Sequence, residues 1–127
     1  MIKTAKCSCG DLTVRASGQP LKVSACHCKS CQRRTGSAFG VAVFYRCEDV
    51  TPEGAASRYV RTGDSGKALT FHFCPSCGST VYWLPDFRPG LVAIALGCIE
   101  ETDGIIVAQS VYEAQAHPWV NLTTEKA

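Results

Sequence analysis

The 127-residue sequence predicts a mainly β fold, made of short antiparallel strands with one short helical turn. Three observations predict it: apolar residues alternate in short runs, Gly and Pro punctuate those runs, and no amphipathic helix longer than about three turns is evident. No internal repeat or low-complexity segment alters that expectation. At 46% hydrophobic residues the chain can bury most of its apolar surface without obligatory disulfides, so a single domain over 1–127 is expected.

Cys7-Ser8-Cys9-Gly10 opens the chain as a CxCG knuckle, and Leu12-Thr13-Val14 alternates as a short strand. Gly18-Gln19-Pro20 turns the chain, and Leu21 to Ala25 runs extended into Cys26-His27-Cys28. A short helix should follow Cys28 and stop at Gly36, with Arg33 and Arg34 complementing its negative end. Ala38 to Tyr45 is apolar on both alternating sets, as in a strand buried on both faces. Thr51-Pro52-Glu53-Gly54 reads as a turn, Ser57 to Arg61 as a strand and Thr62 to Lys67 as a loop. Leu69, Phe71 and Phe73 then point one way and Thr70 and His72 the other, which makes His72 an exposed strand residue. Cys74-Pro75-Ser76-Cys77-Gly78 follows as a CPxCG knuckle. Ser79 to Leu84 is a strand, Pro85 to Gly90 a loop, Leu91 to Leu96 another buried strand, and Ile105 to Tyr112 closes the sheet.

Met1 to Lys6 lacks an apolar core of signal-peptide length, and no window approaches the ~18 apolar residues of a membrane span. A cytoplasmic protein with no membrane partner is expected. Nine cysteines, an odd count without a secretory signal, argue for metal rather than a disulfide framework. Seven thiolates remove seven charges and two Zn²⁺ return four, so the formal +2 becomes −1. Nothing in that balance draws the protein to nucleic acid or an anionic surface.

Two metal sites are expected. The cheapest assignment pairs the knuckles, so that Cys7, Cys9, Cys74 and Cys77 close one structural site. A Cys7–Cys9 disulfide is disfavoured because one intervening residue strains it, whereas two sulfurs about one ion need only a tight bend. Four buried, unliganded cysteines are the alternative. The remaining trio is Cys26, Cys28 and Cys31: a helical turn puts Cys28 and Cys31 on one face, and Cys26 swings in from the extended segment. Three protein ligands leave the fourth position of tetrahedral zinc open. Competing readings seal that position with Cys47, make Cys28–Cys31 a redox pair, or invoke an iron–sulfur cluster, which would also need a fourth ligand. Cys98 and Cys47 read otherwise as small buried hydrophobes. His27, between two ligands, should turn away from the metal into an orienting or surface role. Lys29, Arg33 and Arg34 are candidate contacts to an anionic substrate, or else an ordinary solvated face.

Cys7-Ser8-Cys9-Gly10, the CHCxxCxRxTGSAF run from Cys26 to Phe39 and the FCPSCGSTVYW run from Phe73 to Trp83 resemble the glutathione-dependent formaldehyde-activating enzyme (GFA) family, which includes centromere protein V. The resemblance implies an Mss4-like, zinc-stapled β fold, a structural zinc on Cys7, Cys9, Cys74 and Cys77, and a second zinc on Cys26, Cys28 and Cys31. It also implies a carbon–sulfur lyase, joining glutathione and formaldehyde into S-hydroxymethylglutathione. Where a typical member has a histidine ahead of its proline-tryptophan pair, this chain has Ser110, followed by Val111-Tyr112-Glu113 and then His117-Pro118-Trp119.

The expected chemistry is addition of a thiol to formaldehyde or another small carbonyl compound at the open zinc position, with Cys26, Cys28 and Cys31 as the catalytic ligands. Three thiolates leave the site at about −1, which suits a soft thiol better than activation of water. Lys29, Arg33 and Arg34 would hold carboxylates of a glutathione-like peptide, and only His27 or water offers a general base. The alternative from another class is a zinc-stabilised binding module without turnover.

Overall fold

The computed structural model describes residues 1–124; the expected domain boundary at 127 lies outside them. The described residues form ten strands and one α-helix: β1 (Ile2–Lys6), β2 (Thr13–Ser17), β3 (Lys22–Cys26), α1 (Lys29–Thr35), β4 (Gly40–Arg46), β5 (Val50–Glu53), β6 (Ser57–Thr62), β7 (Ala68–Phe73), β8 (Thr80–Pro85), β9 (Leu91–Ala95) and β10 (Gln109–Val111). They make a three-stranded sheet, β1-β2-β5, and a seven-stranded sheet, β10-β3-β4-β9-β8-β7-β6. The mainly β expectation holds, with one pair departing from antiparallel order: β10 runs parallel to β3.

β4 and β9 are the apolar centre of the large sheet, and their alternation divides the molecule. Val43 and Tyr45 of β4, with Val92 and Ile94 of β9, face Ala5, Leu12, Val14 and Ala16 of the small-sheet region. Phe44, Ala93 and Ala95 face the opposite way and join Leu69, Phe71 and Trp83. A strand buried on both faces has no polar side to give to water, which is why the two apolar sets interleave in its sequence. The second apolar layer is the floor on which the functional cavity stands.

Three elements differ from the sequence reading. β1 was not expected, because its alternation is inverted: Ile2 is exposed while Lys3 and Ala5 are buried. Lys3 is tolerated inside because its Nζ donates to the carbonyls of Glu101 and Asp103, at 2.9 and 3.3 Å. The stretch read as a turn at Thr51–Gly54 is instead β5, pairing with β2. Pro52 fits there because β5 is an edge strand, and the chain bends only at Gly54, with φ 98°. The C-terminal strand is reduced to Gln109–Val111.

Helix α1 is capped as its sequence suggests. Cys28 is the N-cap, its Sγ accepting from the Cys31 amide at 3.4 Å, and Gly36 (φ 64°) closes the C-terminus by donating to the Gln32 carbonyl at 2.8 Å. The capping atom at the N-terminus is thus also a sulfur of the trio. Gln32, buried, holds the helix to the C-terminal segment: its Nε2 donates to the carbonyls of His27 and Gln115, and its Oε1 lies 3.0 Å from His117 Nε2. Among the described residues, no helix is long and apolar enough to cross a membrane.

Candidate functional site

The seven cysteines gather in two groups. Cys7, Cys9, Cys74 and Cys77 place their sulfurs within 4.8 Å of one another, and so do Cys26, Cys28 and Cys31. Tetrahedral zinc with bonds of roughly 2.3 Å sets neighbouring sulfurs about 3.8 Å apart. In the first group Cys7–Cys9 is 3.7 Å and Cys9–Cys74 is 3.6 Å, so the donor set has the spacing that a four-sulfur ion requires.

Each knuckle points hydrogen-bond donors at its sulfurs. The Leu12 amide donates to Cys7 Sγ at 3.2 Å and the Ser76 amide to Cys74 Sγ at 3.4 Å, while Ser79 Oγ lies 3.4 Å from Cys77 Sγ. Such donors favour the thiolate, and the Ser79 hydroxyl and amide bring the Cys77 thiol down to about 5. The knuckles are joined directly as well, since Ser8 donates its amide to Ser79 Oγ at 3.1 Å.

The trio sits where β3 runs into α1. Its three residues are half-buried and form one wall of a cavity of about 390 Å³. The floor is apolar, with Phe44, Leu69, Phe71, Trp83 and Phe87; the rim is cationic, with Lys22, Lys29, Arg34, Arg61 and Arg88 against one carboxylate, Asp64. Within the trio the Cys31 thiol falls to about 6, chiefly because Cys26 donates a hydrogen bond to its thiolate, and the charge of Arg34 adds to this. The same bond pushes the Cys26 thiol far up. One sulfur of the group is therefore ready to act as an anionic ligand near neutrality.

Lys29 and Arg34 line the cavity, whereas Arg33 is exposed and lies outside the lining. Cys47 joins neither group. It is exposed at the far end of β4 from Gly40, the partner of Cys26, so roughly 20 Å of strand separates it from the trio, and the reading in which Cys47 seals the second site is overturned. Neither cysteine is the buried hydrophobe expected: Cys47 is exposed because it follows the end of β4, and Cys98 is half-buried against the core, with its thiol donating to the Thr80 carbonyl at 3.6 Å.

His27 belongs to no cysteine group and lines no part of the cavity. It is buried at 2% exposure, its ring against Phe39 and its Nε2 2.8 Å from Ser110 Oγ, which favours the orienting role over the surface one and removes it as a general base. His72 is half-buried rather than exposed, stacked on Tyr82 at 4.4 Å, and burial lowers its pKa.

Sequence reasoning missed two cavity residues, Arg61 and Tyr112. Tyr112 is the one described non-glycine residue at positive φ, 56°, and the Asp64 carboxylate, which lines the same cavity, pushes its pKa up.

Two sheets, one short helix and two cysteine groups define a mainly β protein that could bind two metal ions, one caged and one facing a cavity. The chain belongs to the glutathione-dependent formaldehyde-activating enzyme (GFA) family, whose model matches residues 2–121. Among solved structures it resembles a Rhodobacter sphaeroides protein, with a TM-score of 0.64 at 20% identity, covering 84% of this chain and 98% of that one. At that identity the likeness speaks for the fold. None of the curated proteins matches.

Proposed function

We propose that this protein is a zinc-dependent enzyme of the carbon–sulfur lyase type, a single domain over 1–127 that adds a glutathione-like thiol to formaldehyde or another small carbonyl compound. The observation that carries the reading is the convergence of Cys26, Cys28 and Cys31 on the wall of a cationic cavity. Family membership supports the same chemistry. The spacing of the first group and the lowered Cys31 thiol fit the soft, thiolate-bound ion that the fold implies. When bound at the trio, Zn²⁺ supplies an open position that lowers the pKa of an incoming thiol.

The remaining work falls to the chain. Lys29 and Arg34 draw an anionic thiol into the cavity, and Arg33 contributes at most long-range attraction from outside it. The reaction forms one C–S bond and breaks the π bond of the carbonyl; the proton leaving sulfur ends on the carbonyl oxygen. Tyr112 and Asp64 line the cavity and can hold and pass that proton. Phe44, Phe71 and Trp83 keep the floor dry, which strengthens each of these electrostatic contacts.

Exchange between glutathione–formaldehyde adduct and free glutathione, measured by NMR with metal content in parallel, tests this. Wild type is expected to accelerate exchange and carry two zincs, and Cys28→Ser to lose the acceleration and one zinc. Full activity in Cys28→Ser would reject the mechanism; two inert zincs without acceleration would make the protein a binding module.

A further inference from the structure

Arg61 and Arg34 reach the same aromatic floor from opposite sides. Arg61, on β6, extends diagonally across its neighbour β7 to lie 5.4 Å from the centre of the Phe71 ring. Arg34, from the last turn of α1, lies 4.3 Å from the centre of Trp83 and 6.0 Å from that of Phe71. Phe71 and Trp83 are direct cross-strand partners with ring centres 5.5 Å apart, so the two guanidinium groups stand on one continuous surface.

Two cations brought together on a partly dry surface repel unless something negative joins them. Among the described residues no carboxylate pairs with either, and the Cys31 sulfur beside Arg34 offers at most one negative charge against two positive ones. The two ion pairs among the described residues, Lys6–Glu100 and Arg15–Glu53, lie elsewhere, and the one carboxylate in the cavity, Asp64, forms an ion pair with neither arginine. Aromatic faces attract guanidinium groups and hold them in place without neutralising them. Arg34 is also seated by Gly40: a Cβ there would come within 2.5 Å of its Nη2. The positions of both groups are therefore fixed while their two charges are only partly compensated.

We infer that Arg34 and Arg61 form a two-point clamp for a carboxylate of the thiol substrate, with Arg61 as the specificity-determining residue. The inference rests on the thiol-addition reading of the same cavity. Arg34 lines the cavity together with the trio, and its Nη2 and Cys31 Cβ both lie within 3.5 Å of where a Cβ on Gly40 would stand, so the anion lies beside the trio. A ligand with sulfur at the trio and carboxylate at the clamp is one molecule: a thiol carrying a carboxylate rather than a neutral or cationic thiol. Arginine suits the task because its planar fork donates to both carboxylate oxygens while its face rests on Phe71.

The test uses S-methylglutathione, which cannot react at sulfur, and its dimethyl ester, which has no carboxylate; both are titrated calorimetrically into the zinc-loaded protein. Wild type should prefer the acid to the ester, and Arg61→Ala should weaken acid binding about tenfold to a hundredfold while leaving ester binding unchanged. Arg61→Met, which keeps an apolar stem over Phe71, should behave like Arg61→Ala, and Arg61→Lys should recover only part of the preference. Equal loss of acid and ester, no loss of either, or no binding of the acid to wild type would overturn the clamp. Inorganic phosphate binding as tightly as the acid would overturn it in favour of a phosphate site. If the clamp behaves as expected while glutathione–formaldehyde exchange is not accelerated, the catalytic reading fails and the clamp stands.

Discussion

The two cysteine groups use the same ligand atom in opposite settings. The first ties ends of the fold together: Cys7 and Cys9 precede β2, Cys74 and Cys77 lie between β7 and β8, and each knuckle aims amides at its own sulfurs. The second is met by cations and by an open cavity, and its three residues lie within six positions of one another. Four sulfurs complete a tetrahedron and three do not. On the proposed reading, the difference between holding shape and offering a coordination position comes down to one ligand and to what faces the sulfurs.

Breaking the first group should have the largest effect. A structural zinc contributes on the order of 10 kcal/mol to folding, comparable to the whole stability of a domain this size. Cys74→Ser, at a fully buried position, is expected to abolish cooperative unfolding, as followed by circular dichroism during thermal melts. Cys28→Ser, in the second group, should keep a cooperative transition, with its midpoint lowered only by a few degrees. If the two substitutions destabilise equally, the division into caged and open sites is wrong.

Two glycines sharpen the contrast at smaller magnitude. Gly54 (φ 98°) packs so closely on the Asp11 carbonyl that a side chain has no room, and Asp11 follows the first knuckle directly. Gly54→Ala should lower stability by about 2 to 4 kcal/mol, read from urea unfolding, by combining backbone strain with overpacking. Gly40→Ala presses instead on the Arg34 guanidinium, the far end of a flexible side chain. Its expected stability loss is about 1 kcal/mol, and its main effect is a severalfold rise in KM for the thiol with kcat nearly kept. A kcat loss without a KM change would place Arg34 with the reacting atoms rather than with binding.

Most of the framework was legible because its signals are local. The two-sided apolar runs of β4 and β9, the knuckle spacings and the Gly36 stop each lie within a few adjacent residues. What escaped depends on partners distant in sequence. β1 hides because its inward residues are Lys3 and Ala5, acceptable only once the Glu101 and Asp103 carbonyls arrive. β5 hides because Pro52 signals a turn until the strand is known to lie at an edge. Arg61 reads as an ordinary strand residue; the available signal was its place in a strand next to one that alternates Leu69, Phe71 and Phe73. The contact of His27 with Ser110 spans 83 positions, and no spacing rule reaches that far.

The smallest expected effect concerns the trio without its metal. Its lowered member, Cys31, is held at about 6 by the hydrogen bond from Cys26 and by the charge of Arg34, while burial opposes both. A thiol with a lowered pKa is thiolate above that value, and the thiolate is lost as pH falls through it. In protein stripped of the open-site ion alone, iodoacetamide should therefore modify Cys31 before Cys26, with a rate midpoint near the value quoted rather than in the ordinary thiol range. Arg34→Gln should raise that midpoint while leaving the order of modification unchanged, because the Cys26 bond is the larger cause. Peptide mapping by mass spectrometry across pH reads both. Cys26 reacting first would mean that the shared proton lies on the other sulfur, and a midpoint unmoved in Arg34→Gln would mean that the guanidinium serves the ligand alone.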